Sequence, residues 1–151
     1  MVQLSFTKAG NLSWVFLNNN NKANANWYTK KCLNKLINIW KKSNPNIDIS
    51  KMILHQDNAR IHNCAITKKF LEKKKIKILR HPPYSPDLSP CDYYMFNKIK
   101  NKLKGKVFRS SHHLKLAWVS ALKELTKNDF HTCFRMWFDQ ILNCIKNNGG
   151  Y

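Results

Sequence analysis

The hydrophobic and polar positions of this chain change period along its length, and each change marks an element. Val2, Leu4 and Phe6 alternate with polar residues, Lys8-Ala9-Gly10-Asn11 supplies turn chemistry, and Leu12 to Leu17 resumes with Trp14, Val15 and Phe16. Alternation on both sides of a turn predicts a hairpin. The polar tract Asn18 to Asn21 reads as a loop. Beyond it Tyr28, Cys32 with Leu33, Leu36 with Ile37, and Trp40 recur at helical spacing and predict an amphipathic helix that stops before Pro45. Met52-Ile53-Leu54 is the kind of short apolar run found in a central strand. Asn63 to Lys75 reads as a basic helix with an apolar face of Ala65, Ile66, Phe70 and Leu71, and Ile76 to Leu79 as another short strand. Strand, helix, strand implies a parallel pair joined by a right-handed crossover.

Prolines at 82, 83, 86 and 90 then make a stiff loop that is expected to stay out of helix and central sheet alike. A helix from about Cys91 to Lys104 follows, with Tyr93, Phe96, Ile99 and Leu103 at spacings of three and four. Leu114 to Leu125 and Phe130 to Ile145 give two more, the last stopped by Asn147-Asn148-Gly149-Gly150. The order of elements predicts an α/β fold, and no linker or repeat divides the chain.

With 151 residues and 43% hydrophobic content, one domain with a real core is expected. The net charge of +19 would draw a polyanion, nucleic acid first among them. Lysine bias tempers that inference: 23 of the 27 basic residues are Lys, and Lys, Asn and Ile fill 54 positions, as an AT-rich coding sequence would also produce. Five widely spaced cysteines without a C-x-x-C pair indicate neither a disulfide framework nor a structural zinc site. Nothing resembles a secretory signal, and no apolar run reaches the roughly 20 residues of a membrane span, so a soluble chain with no membrane partner is expected.

Asp57 and Asp92 carry the candidate chemistry. Asp57 follows the predicted strand at 52–54, Asp92 falls in the first turn of the predicted helix from Cys91, and 34 residues lie between them. Two carboxylates held by a strand end and a helix can bind divalent ions such as Mg²⁺, which keeps several waters and takes substrate phosphates. A pair of such ions activates water on one side of a phosphodiester and stabilises the leaving oxygen on the other. An Asp at a strand end or helix start is also the ordinary turn or capping residue, so spacing alone leaves both roles open.

Two motifs add to this: His55-Gln56-Asp57-Asn58-Ala59-Arg60-Ile61-His62 and His81-Pro82-Pro83-Tyr84-Ser85-Pro86-Asp87-Leu88-Ser89-Pro90-Cys91-Asp92-Tyr93-Tyr94-Met95-Phe96. With these the chain resembles the catalytic domain of mariner-type transposases of the DDE/DDD superfamily. The motifs match the second-aspartate motif and the proline-rich loop leading to the third aspartate, and the stretch from Trp137 to Tyr151 resembles the family's C-terminus. The resemblance implies a ribonuclease H-like fold, a mixed sheet flanked by helices. It also implies Asp57 and Asp92 as catalytic metal ligands for Mg²⁺ or Mn²⁺ in a two-metal site, DNA as partner and substrate of cleavage and strand transfer, a homodimer, and a nuclear location. Asp87 is expected to be a turn residue, and His55, His62 and His81 to fix loops through hydrogen bonds.

In the family a first strand carrying the first aspartate precedes the opening hairpin, and the expectation here is a single partial domain over 1–151 without that strand and without helix-turn-helix modules. Asp48, the only acid before Asp57, lies nine residues away along an extended segment, up to roughly 30 Å. It is not expected to complete the site. A sheet lacking its central strand should expose apolar edges, which predicts poor folding or association of the isolated chain. The alternative to a transposase fragment is a non-catalytic DNA-binding or dimerising module, and the blandest reading is a reading frame with no cellular role.

Overall fold

Val2 pairs with Phe16, Leu4 with Trp14 and Phe6 with Leu12 across an antiparallel hairpin of β1 (Val2–Phe6) and β2 (Leu12–Phe16). The computed structural model describes residues 1–17 and 22–149. The loop expected at Asn18–Asn21, and the residues Gly150 and Tyr151, lie outside the described residues. The chain divides into two compact units, residues 1–7 with 11–85, and residues 8–10 with those from 86 onward.

In the first unit a continuous helix, α1 (residues 25–43), begins at Asn24, whose side chain accepts from the Trp27 N–H at 2.8 Å. Its middle, Tyr28–Leu33, is a π-helical turn between the α-helical segments Ala25–Trp27 and Asn34–Ser43. The burial pattern explains the insertion. Residues 28 and 29, 32 and 33, and 36 and 37 face inward, a spacing of four that outruns the 3.6 residues of an α-helical turn. A π turn is wider and absorbs the excess.

A parallel ladder follows, β3 (Ile53–His55) against β4 (Lys77–Leu79), with Leu54 opposite Ile78. Between them come α2 (Arg60–Asn63) and α3 (Ala65–Lys73). The expected apolar face of α3 is corrected in one respect. Ile66 is half exposed, whereas Thr67 and Leu71 are buried. Cys64 is extended, so α3 starts only at Ala65, and its first residues face outward. Thr67 is tolerated inside because its hydroxyl donates to the Ile61 carbonyl at 2.6 Å. Tyr28, Leu33, Leu36, Ile37, Met52, Leu54, Leu71 and Ile76 form the core of this unit. The mixed α/β character is carried by two separate two-stranded ladders among the described residues, one antiparallel and one parallel. Ile53, Ile78 and Leu79 on the parallel ladder are exposed.

The second unit is helical. The proline loop departs from expectation twice: Pro86 opens a single 3₁₀ turn, Pro86–Leu88, and Pro90 takes helical backbone angles at the start of the next helix. Proline is accepted at a first helical position because no N–H is needed there. α4 (residues 91–103) again couples a π turn, Cys91–Phe96, to an α-helical segment, Asn97–Leu103. Its fully buried residues, Met95 and Ile99, are again four apart. α5 (Ser111–Lys123) is capped by Ser110, and α6 (Lys127–Lys146) by a capping box of Thr126 and Asp129. Asn148 and Gly149 take positive φ and stop α6. Met95, Ile99, Leu122, Phe130 and Cys133 are the core of this unit. All five cysteines are free thiols.

Candidate active site

The parallel ladder ends at His55, and the two residues after it are fixed by side-chain hydrogen bonds. Gln56 accepts from the Tyr28 hydroxyl at 2.8 Å and donates to the His62 carbonyl at 3.4 Å. Asp57 Oδ1 accepts from the Ala59 N–H at 3.0 Å and from His62 Nδ1 at 2.5 Å. A carboxylate only accepts, so His62 carries its proton on Nδ1. The His62 ring is buried, 4.5 Å between centroids from the Tyr28 ring, and its Nε2 has no hydrogen-bond partner among the described residues. The hydrogen bond from His62, helped by the Ala59 N–H, holds the Asp57 carboxyl below the usual range, against the opposing effect of its partial burial. Half of the Asp57 side chain remains open to solvent, and among the described residues its hydrogen bonds all fall on Oδ1.

His55 and His81 meet ring to ring, Nε2 to Nδ1, at 3.1 Å. Burial, with the neighbouring His81, pushes His55 down to about 4, so it is neutral at physiological pH. Asn58 donates to the His81 carbonyl at 2.9 Å and ties the start of the proline loop to the Asp57 turn. Each of the three histidines of the motifs is engaged in a hydrogen bond.

Asp92 stands in the first turn of α4, exposed, where the helix dipole favours a carboxylate. Its backbone N–H donates to the Ser89 carbonyl at 2.9 Å, and among the described residues its carboxylate is in no ion pair. The next residue anchors the turn: Tyr93 donates to the Cys133 carbonyl at 2.6 Å, and Trp137 to the Leu88 carbonyl at 2.9 Å. Lys98 pairs with Asp129 and Lys102 with Glu124 further along. Asp87 sits in the 3₁₀ turn, partly buried. Asp48 is engaged elsewhere, capping a short turn by accepting from the Ser50 N–H at 2.8 Å.

Asp57 therefore belongs to the first unit and Asp92 to the second. Among the described residues, no three His, Cys, Asp or Glu side chains gather where they could hold a metal ion. The donors themselves suit a hydrated divalent ion. Each Asp offers hard carboxylate oxygen, and Mg²⁺ is commonly held by one or two carboxylates with waters and substrate phosphates completing the shell. The sequence had pointed to both aspartates but not to Tyr28 and Gln56 as the supports behind Asp57. The only available signal for Tyr28 was a bulky polar-tipped residue at the start of the helical stripe.

A fold and a pair of motifs of this kind define a class. The family model described as "DDE superfamily endonuclease" matches residues 4–115, and the chain belongs to that family. Its relatives include the mariner and Tc transposases. The chain is 27% identical over 106 residues to the mariner Mos1 transposase of Drosophila mauritiana (67% of this chain, 29% of that protein). To the Tc3 transposase of Caenorhabditis elegans it is 26% identical over 113 residues (68% and 34%). Human histone-lysine N-methyltransferase SETMAR matches over all 151 residues at 26% identity, which is 22% of that protein. The chain thus spans from about a fifth to a third of these relatives. Among solved structures, the Mos1 transposase paired-end complex with left transposon end superposes with a TM-score of 0.87 at 22% identity, over 99% of this chain and 44% of that one. The Mos1 catalytic domain with Raltegravir and Mn gives 0.87 at 20% identity, over 99% and 76%. The fold is that of the ribonuclease H-like Mos1 catalytic domain, and the chain is a DDE endonuclease domain similar to the mariner and Tc transposases.

Proposed function

We propose that this domain performs metal-dependent cleavage and transfer of DNA strands in transposition, with Asp57 and Asp92 as its metal-binding carboxylates. The observation that carries the proposal is the state of Asp57. His62 and the Ala59 N–H fix one oxygen and keep the group ionised, while half of the side chain stays exposed. That is what a ligand to a hydrated cation requires. Bound Mg²⁺ or Mn²⁺ would supply the activation of water and the charge stabilisation that phosphodiester cleavage needs. The chain's own residues supply the rest: Tyr28 and Gln56 hold the turn, His62 orients Asp57, and the Tyr93 anchor holds the helix turn that presents Asp92. Transposon-end DNA is the proposed substrate, attracted by the +19 charge, and the nucleus the proposed site of action.

A second reading is favoured by one observation, the net charge of +19, which serves DNA binding whether or not a strand is cut. On that reading the domain binds DNA, as a monomer or homodimer, without cutting it. Incubating the purified chain with supercoiled plasmid and Mg²⁺ or Mn²⁺ separates the two. Nicking that disappears in Asp57→Ala establishes the first reading. Binding that weakens with salt, without nicking, establishes the second.

A further inference from the structure

The first unit holds a cleft that shares Gln56, Asn58 and His81 with the Asp57 turn and extends beyond it. It has a volume of about 460 Å³ and lies between α3 and β4, beside the Asp57 turn. That volume falls within the roughly 300–1,000 Å³ of small-ligand sites. It admits a nucleotide and is far too small for a duplex. Lys68 and Arg80 line it, and neither takes part in any ion pair among the described residues. Glu72, the single acid in the lining, is likewise in none of them. Most of the lining is polar; Leu71, Ile76, Ile78 and Leu79 supply its apolar part, and Ile78 and Leu79 are 43% and 44% exposed overall. On the rim, Asn58 donates to the His81 carbonyl at 2.9 Å and Asn63 donates to Asn58 at 3.4 Å, so the polar edge is fixed in advance.

We propose that this cleft binds one unpaired nucleotide of a DNA strand. Two uncommitted cations suit the phosphodiester, and the exposed apolar side chains suit a base face, which paired bases keep stacked inside the duplex. Glu72 is an acceptor for the amino edge of a base. The proposal rests on reading the domain as one that handles DNA, and it adds that the DNA beside Asp57 is locally single-stranded.

The test is fluorescence anisotropy on the full chain, with a labelled 12-nucleotide single strand and the duplex of the same length. The double variant Lys68→Ala/Arg80→Ala is compared with Lys104→Ala/Lys106→Ala, an equal loss of charge on the second unit. The expected result is a loss of single-strand affinity of about tenfold for the cleft pair and little for the control. The log–log salt slope should fall by about 0.7, the value for one phosphate contact on a single strand. Ile78→Ser should weaken single-strand binding and leave duplex binding unchanged. Equal losses in the two double variants, or an Ile78→Ser effect shared by both DNAs, would overturn the proposal. Its failure is distinct from failure of the cleavage reading. Metal-dependent nicking by a chain whose cleft variants bind like the parent refutes the cleft alone, and selective loss of single-strand binding in a chain that never nicks refutes cleavage alone.

Discussion

Replacing His62 separates two things this residue does: it donates to Asp57 and fills space against Tyr28. His62→Phe keeps the ring against Tyr28 and removes the 2.5 Å donor. A hydrogen bond to a charged group contributes roughly 1.5–3 kcal/mol when buried. With 51% of the Asp57 side chain in solvent, screening reduces the expected cost to about 1 kcal/mol. Phe also removes the buried Nε2 that has no partner among the described residues, which offsets part of even that. His62→Ala additionally empties a site whose occupant is only 6% exposed, and should cost about 2–4 kcal/mol in all. Urea unfolding gives both numbers. The carboxyl ¹³C titration of Asp57 gives the cause. Its folded pKa is lowered chiefly by His62, so it stabilises the fold above the unfolded value of about 3.9, and that stability is lost as pH falls through the folded pKa. In both variants the Asp57 pKa should rise toward the ordinary carboxylate value, and this acid-range contribution should shrink. An Asp57 titration unchanged in His62→Phe would refute the assignment of His62 as the group that orients it.

Tyr93→Phe removes its hydrogen bond to the Cys133 carbonyl, an acceptor inside α6, and should destabilise the second unit by about 1 kcal/mol, read as a lower melting temperature. Thr126→Ala removes one half of the α6 capping box and should cost about 1 kcal/mol in urea unfolding. His55 is held neutral in the fold down to about pH 4, whereas an unfolded histidine takes its proton near 6.5. The unfolded state therefore binds the extra proton in between. Stability should fall as pH drops from about 6.5 to about 4, and His55→Gln should flatten that part of the profile.

Much of the fold follows from periods visible in the sequence. The alternation at Val2–Phe6 and Leu12–Phe16 gave the hairpin, and the short apolar runs at 52–54 and 76–79 gave the parallel pair to within a residue or two. The π turns were missed, although their signal was present. Tyr28, Cys32, Leu36 and Trp40, like Cys91, Met95, Ile99 and Leu103, advance in strict fours, and a plain α-helix cannot keep such a stripe on one face. The buried face of α3 was misjudged because Thr67 is polar by type, and its burial depends on the Ile61 carbonyl, a contact that no local pattern encodes. Asp57 and Asp92 were legible as motif residues. The arrangement behind Asp57 was not, since the bond from Tyr28 to Gln56 joins residues 28 positions apart.

The central claim is that Asp57 and Asp92 hold a divalent cation. Binding of Mn²⁺ to the chain, followed by its enhancement of water proton relaxation, tests this without requiring turnover. The account predicts saturable binding that weakens at least tenfold in Asp57→Asn and in Asp92→Asn and is unchanged in Asp48→Asn, whose carboxylate only caps a turn. Binding of equal strength in all four proteins would contradict it.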